Sequence, residues 1–335
     1  MRVTDRITNE TELVQTFLAP LTAGAPGAFD LQDDAALISP EPGTDLVITT
    51  DPIIAGVHFF ADGRADDIAW KALAVNISDL AAKGAEPLAY TLALAFPEPP
   101  QRVWMANFAD GLQLAQQAFG CHLIGGDTDH TAGPLSVGVT AIGTVPRGTM
   151  VPRRGARAGD HVFVTGTLGD SALGLTLHRD PARFASALTE GDKSFLIGRY
   201  LRPCPRVAMA AILRAYASAA LDVSDGLVKD LTRLAGGLGI MFPASAVPLS
   251  PQARAALDAD PAQIAAILSG GDDYEILFSV APGHLQAFRK AVSRSAVGTT
   301  ELGVLDDNAE GVRILDARGA AVDLKQPGYD HFSPP

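Results

Sequence analysis

Aspartates set beside hydroxyls and glycines recur along this chain at the ends of apolar runs. Asp51 closes the run Leu46-Val47-Ile48-Thr49-Thr50, Asp79 sits in VNISDLAAKG, and Asp127 follows Gly125 and Gly126. Further on, Asp222 and Asp225 flank Ser224, and Asp272 and Asp273 follow Gly270 and Gly271; Asp33 and Asp34 form another adjacent pair. Carboxylates and hydroxyls are the hard oxygen donors that Mg²⁺ prefers. Adjacent carboxylates also repel, a cost that a divalent cation relieves. Each group has a plainer reading as well: Asp51-Pro52 as a turn closing a strand, Asp33-Asp34 as a polar turn, Gly125-Gly126-Asp127 as a glycine turn.

These residues need rigid elements to hold them. The β-branched stretch Val47 to Thr50 suits a buried strand, expected to stop at Asp51-Pro52 because proline cannot continue a central ladder. Asp66 can start a long helix with Trp70, Leu73, Ala74, Ile77, Leu80 and Ala81 on one apolar face, and Asp79 on that helix either faces solvent or meets a cation. Leu88 to Phe96 reads as a strand, Val103 to Phe119 as a helix, and Cys121 to Ile124 as a strand that leaves Asp127 at its terminus. Asp33 and Asp34 precede a short apolar strand. Asn9 with Glu12 reads as a capping box for a helix through Leu18. The stretch Pro146 to Gly159 is rich in Pro, Gly and Arg and marks the domain boundary; Arg153 and Arg154 there suit either a nucleotide phosphate or a solvated linker. In the second half, Asp170 is placed to cap the helix after strand His161 to Thr165, and one of Asp222, Ser224 and Asp225 is expected to be an N-cap. The tail Gly328 to Phe332 carries two aromatics and a histidine, which implies that something holds it.

With 335 residues the chain is long enough for two domains. A hydrophobic share of 47% against 19% charged is ordinary for a folded α/β protein. The formal charge of −12, with no basic run, argues against nucleic acid and favours a phosphate site built through divalent metals. Cys121 and Cys204 form no CxxC pair, so neither a disulfide framework nor a structural zinc site is expected. No apolar run approaches a membrane span and the N-terminus lacks a signal-peptide core, so a cytoplasmic location and no membrane partner are expected. GxxxxGK[ST] is absent, which excludes a P-loop.

Read in order, LVITTDPIIAGVHFF, VNISDLAAKG, LIGGDTD, VTGTLGDSALGL, LDVSDGL, SGGDDYEILF and GYDHF make the chain resemble the thiamine-monophosphate kinase family, within the aminoimidazole ribonucleotide synthetase-like superfamily. The resemblance covers essentially the whole chain. It implies a two-domain α/β (α+β) fold: residues 1–150 as an N-terminal ATP/Mg-binding and dimerisation domain with a mixed sheet, residues 151–335 as a C-terminal α/β domain completing the active site. It also implies a homodimer, ATP as co-substrate and several Mg²⁺ ions. The implied metal ligands are Asp34, Thr49, Thr50, Asp51, Asp79, Asp127, Asp222 and Asp225. Gly126, Asp127, Arg153 and Ser224 are implied at ATP, and His58, Asp273 and Tyr329 at thiamine monophosphate. Two positions depart from the family pattern: Gln32 stands where glycine is usual, and Asp272 where GGEDYE has glutamate.

The implied reaction moves the γ-phosphoryl of ATP to the phosphate of thiamine monophosphate, the last step of thiamine diphosphate synthesis. Neutralising and aligning two anionic phosphates is most of the task. The acceptor phosphate is already ionised, so no general base is assigned. A selenophosphate synthetase is disfavoured because no cysteine precedes Cys121. A silent Mg²⁺-nucleotide binder is the rival from another class, and an assay separates the two.

Overall fold

The structure, a computed structural model, describes residues 5–332 and divides into two compact units, Met1–Leu80 with Ala85–Gly148 and Ala81–Gly84 with Thr149–Pro335. Helices and sheets are mixed in both, as the resemblance implies.

In the first unit a short helix α1 (Glu10–Leu13) leads through a π-helical turn to Leu18. Asn9 accepts the Glu12 N–H at 2.9 Å, but the Glu12 carboxylate reaches Thr8, so the expected capping box is only half formed. The elements that follow are β1 (Thr44–Ile54), α2 (Ala65–Ala82), β2 (Glu86–Phe96), α3 (Arg102–Phe119), β3 (His122–His130) and β4 (Ser136–Pro146). They form a mixed sheet in the order β1-β4-β2-β3, with β2 and β3 parallel and the other pairs antiparallel.

Three strand expectations are corrected here. β1 does not stop at Asp51-Pro52 but runs on to Ile54, since among the described residues it is an edge strand paired only with β4, and an edge tolerates proline. β3 likewise continues through Asp127 to His130, so Asp127 lies within the strand rather than at its end. No strand follows Asp33 and Asp34; that segment is exposed and irregular.

α2 is not amphipathic in the expected sense. Lys71 to Ser78 are buried all round, because a helix rich in alanine is slim enough to be enclosed by its neighbours. Trp70 packs edge-on against Phe119 at 5.0 Å, and Trp104 stacks on Phe108 at 5.1 Å. The buried Gln116 accepts from the Tyr90 hydroxyl at 2.7 Å and from Leu123 N–H, and donates to Leu21 O, which satisfies four buried polar groups together.

The second unit is built from β5 (His161–Thr165), α4 (Asp170–Arg179), α5 (Glu190–Leu201), α6 (Ala210–Tyr216), β6 (Ala217–Asp222), α7 (Leu227–Ala235), β7 (Ile240–Pro243), α8 (Pro251–Ala259), α9 (Gln263–Ser269), β8 (Ile276–Val280), α10 (Leu285–Val292), β9 (Thr299–Val304) and β10 (Val312–Leu315). Its main sheet is antiparallel in the order β6-β8-β5-β9, and β7 pairs with β10 in parallel. Strand alternation sends Val162, Val164, Leu221 and Leu277 into a core with Leu227, Leu231 and Leu234 of α7, and sends Phe163, Ala220, Phe278 and Val280 into another with Leu213 and Phe288. Both faces are therefore covered, which leaves the strand ends and the loops beyond them to carry polar chemistry.

Candidate functional site

In the first unit, β1 and α2 bring the polar groups together. Thr49 donates to Asp79 Oδ2 at 2.6 Å. One turn earlier on α2, the buried Asn76 accepts the Asp51 N–H at 2.8 Å and donates to Asp51 O and to Ala72 O. Asn76 thus pins the β1 backbone at Asp51 to the helix. Side chains two apart on a strand share a face, so Thr49 and Asp51 lie on the α2 side with Asp79. Asp79 is half-buried in a helix whose neighbouring turns are fully buried, and the Thr49 hydroxyl meets part of its hydrogen-bonding need.

Thr50 faces the other way. The pleat turns its hydroxyl to the opposite face, where it donates to Val139 O at 3.1 Å and accepts from Thr140. It does not join Thr49 as a side-chain ligand. Asp34 and Asp127 are both exposed, and Asp127 Oδ1 accepts the N–H of Thr128 at 2.9 Å. Gly126 has a packing reason to be glycine, because a Cβ there would come 1.9 Å from Leu92 O of β2. Among the described residues, no three His, Cys, Asp or Glu side chains gather closely enough to form a metal cage by themselves. The donors that fit Mg²⁺ best are Thr49, Asp51 and Asp79. Magnesium typically takes one or two carboxylates and fills its octahedron with phosphate oxygens and water, so this smaller set suffices.

His58 sits in the turn after β1 and accepts the Ile54 N–H at its Nδ1, 3.0 Å away. With Nδ1 so engaged, the neutral ring carries its proton on Nε2.

In the second unit, the loop after β6 holds Asp222, Ser224 and Asp225. None of them caps α7, contrary to expectation: the N-cap position is Gly226, without a side-chain bond. Asp230, one turn inside the helix, reaches back to accept the N–H groups of Ser224 at 3.1 Å and Asp225 at 2.9 Å. Burial pushes the Asp230 carboxyl up to about 6 against those bonds and the Arg233 guanidinium. Asp225 pairs with Lys229 at 3.1 Å and with Arg233 at 2.7 Å. Asp222 is 8% exposed at the end of β6. Arg153 is exposed.

The loop from Gly270 to Glu275 packs on the same place, with Asp272 N–H donating to Ser224 O, Tyr274 N–H to Val223 O, and Val223 N–H to Glu275 O. Asp272 and Tyr274 both have positive φ, 70° and 51°, a strained backbone of the kind that clusters at functional sites. Asp273, implied at the substrate, is instead 2% exposed and accepts the N–H groups of Gly169 at 2.7 Å and Ser171 at 3.2 Å. It fills the start of α4, so it has no open face for a thiazolium, and burial raises its carboxyl to about 8. Asp170, expected to cap α4, is the first residue inside it and is buried, accepting from Thr167 and Ser250 at 2.5 Å each. Of the acidic pair, Asp272 is the half-buried member.

Sequence reasoning missed Glu275. It is fully buried and holds Arg199 at 2.9 Å, the Arg206 guanidinium through Nε at 2.7 Å and Nη2, and the Thr165 hydroxyl at 2.6 Å. It also missed Asp230. The signal was present in both cases, as a glutamate at the threshold of an apolar strand and an aspartate on the buried side of a helix, because such carboxylates are rarely idle. The tail does have a holder: Tyr329 N–H donates to Asp225 O at 2.9 Å, which places Tyr329 beside this loop.

The model of the family "AIR synthase related protein, N-terminal domain" matches residues 32–145. A thiamine-monophosphate kinase of Caulobacter vibrioides is 43% identical over 299 residues, covering 88% of this chain and 83% of the relative. Among solved structures, the thiamine-monophosphate kinase of Stenotrophomonas maltophilia K279a superposes with a TM-score of 0.77 at 42% identity, covering 87% of this chain and 91% of its own. The structure described as AaThiL complexed with AMPPCP and TMP superposes with a TM-score of 0.74 at 31% identity over 99% of both chains.

Proposed function

The chain belongs to the thiamine-monophosphate kinase family, and from that premise we propose which of its residues carry the ATP-dependent phosphorylation of thiamine monophosphate to thiamine diphosphate. The observation that carries the reading is the Thr49–Asp79 contact, which sets a hydroxyl and a carboxylate on one face of the β1–α2 pair with Asp51 beside them.

Thr49, Asp51 and Asp79 hold Mg²⁺ in this reading, with Asp34 and Asp127 as exposed carboxylates that can add to it, and Asp222 and Asp225 serve the same purpose in the second unit. Mg²⁺, when bound, neutralises and aligns the donor and acceptor phosphates. Thr50 contributes at most its backbone. Gly126, Asp127, Arg153 and Ser224 belong to the ATP site, where the exposed Arg153 supplies a guanidinium for phosphate oxygens. His58 donates from Nε2 to the acceptor phosphate, and Tyr329 offers its ring to the cationic thiazolium, an attraction of roughly 0.5–2 kcal/mol. Of Asp272 and Asp273, the half-buried Asp272 is read as the carboxylate for the thiazolium. No side chain is assigned as a base. The first unit is read as the ATP/Mg-binding and dimerisation domain and the second as the domain that completes the residue set. Leu46 and Ile48, 39% and 62% exposed on the outer face of the edge strand β1, support a homodimer, since an exposed apolar face favours burial against a second copy. A cytoplasmic location goes with ATP as the donor; no helix of the described residues is long and apolar enough to cross a membrane.

The test is turnover of MgATP with thiamine monophosphate and with thiamine, side by side, with chromatography for the phosphorylated product. The monophosphate is already an anion, whereas thiamine offers a neutral hydroxyl that must lose a proton. We expect robust conversion of the first and little or none of the second. Comparable rates on both would mean that a base exists, and a chain that converts neither would return the silent nucleotide binder.

A further inference from the structure

The C-terminal tail is tied to the first turn of α7 through Lys229. The Lys229 N–H donates to Pro327 O at 3.1 Å, and its ammonium donates to Tyr329 O while pairing with Asp225 Oδ2 at 3.1 Å. The Tyr329 N–H donates in turn to Asp225 O at 2.9 Å. Gly328 between them lies so close that a Cβ would come 2.5 Å from Asp225 O and 2.6 Å from Lys229 Cβ, so this approach requires glycine. Both backbone polar groups of Tyr329 are therefore held at the entrance of α7, by Asp225 of the preceding loop and Lys229 of the first turn. Tyr329 as a residue is 45% exposed, with His331 edge-on to its ring at 4.9 Å.

A tail docked for stability alone buries its aromatic side chains, because that is where the free energy of docking lies. Here the backbone is pinned and the ring is left available. We propose that Lys229 is a positioning residue: its ammonium, shared between the Asp225 carboxylate and the Tyr329 carbonyl, holds the Tyr329 ring where it meets the thiamine moiety and so sets the affinity for the acceptor. The proposal rests on the reading of Tyr329 as an acceptor contact given above. Arg233 provides an internal control. Its ion pairs among the described residues are with Asp225 and Asp230, so it shares the charge environment of Asp225 without holding the tail.

Lys229→Met keeps the aliphatic stem and the helix preference while removing the ammonium. The KM for thiamine monophosphate should rise roughly tenfold, about 1.4 kcal/mol, at the low end for a hydrogen bond to a charged group, with kcat and the KM for ATP within about twofold. Lys229→Arg should recover most of the loss. Arg233→Met should leave the acceptor KM unchanged; if the two Met variants raise it equally, Lys229 acts through the charge on Asp225 and the proposal is overturned. Hydrogen exchange at the Tyr329 amide, followed without ligand, should quicken in Lys229→Met and not in Arg233→Met. Unchanged exchange in Lys229→Met would overturn the latch even if the KM moved. Should the wild type fail to turn over thiamine monophosphate, the functional reading fails, and the exchange measurement still decides whether Lys229 holds the tail.

Discussion

Replacing Glu275 by glutamine tests whether the buried charge cluster beside the β6 loop holds the second unit together. The Glu275 side chain is 0% exposed, while Arg199 and Arg206 are 13% and 21% exposed. Glutamine keeps the shape but removes the charge and turns one acceptor into an NH₂ donor. If that NH₂ takes the Oε1 position it faces Arg199 and Arg206; if it takes the Oε2 position it faces Arg206 Nε, and the Thr165 hydroxyl must reverse its donation. Two guanidinium groups then stay in a poorly solvated place without the carboxylate they are bonded to. Breaking a buried ion pair by deleting one partner costs about 3–5 kcal/mol, and the partial exposure of both arginines favours the lower end. With a urea dependence of roughly 1–3 kcal/mol per molar, the unfolding midpoint should fall by roughly 1–2 M. Far-UV circular dichroism is the appropriate probe, since Trp70 and Trp104, the two tryptophans, both lie in the first unit. Arg199→Met and Arg206→Met each leave one cation on the glutamate and should cost less than Glu275→Gln. A midpoint shift below about 0.3 M would show that solvent already compensates the arginines, and the cluster would not be holding the unit.

Asp79→Asn retains an acceptor for the Thr49 hydroxyl while withdrawing a charge from the metal-type set, so kcat should fall about a hundredfold with the melting curve unchanged; near wild-type turnover at ordinary Mg²⁺ would remove Asp79 from the site. Asp230 should impose a pH dependence on stability. Its carboxyl is raised to about 6 in the folded chain, mainly by burial, so the folded state binds this proton more tightly than the unfolded state does. The corresponding stabilisation is present below about pH 4 and is lost as pH rises through about 6, up to about 3 kcal/mol. Relative to Asp230→Asn, the wild type should therefore lose stability between about pH 4 and pH 7 in urea titrations, and parallel pH profiles for the two proteins would contradict the assignment.

Local chemistry was legible in the chain itself wherever residue type and spacing constrain it strongly. The grouping of oxygen donors at Thr49, Asp51 and Asp79, the absence of a P-loop and the need for something to hold Tyr329 all followed from local pattern. The motif order was specific enough to imply the family that the comparisons then showed. What local pattern could not supply was partner identity at a distance. That β1 is an edge strand, and so can carry Pro52, depends on β4, more than eighty residues away in the chain. That Thr49 and Thr50 part company depends on which face of β1 meets α2. Asp273 and Asp272 are adjacent carboxylates that look alike in sequence, yet one is sealed against the start of α4 and the other stays half-buried, because a sharp left-handed backbone turn sends neighbouring side chains in different directions. Glu275 gained its meaning only when folding brought Arg199 and Arg206 to it. A carboxylate's role is set by the charges and solvent around it, and in a folded chain most of those come from residues far away in sequence.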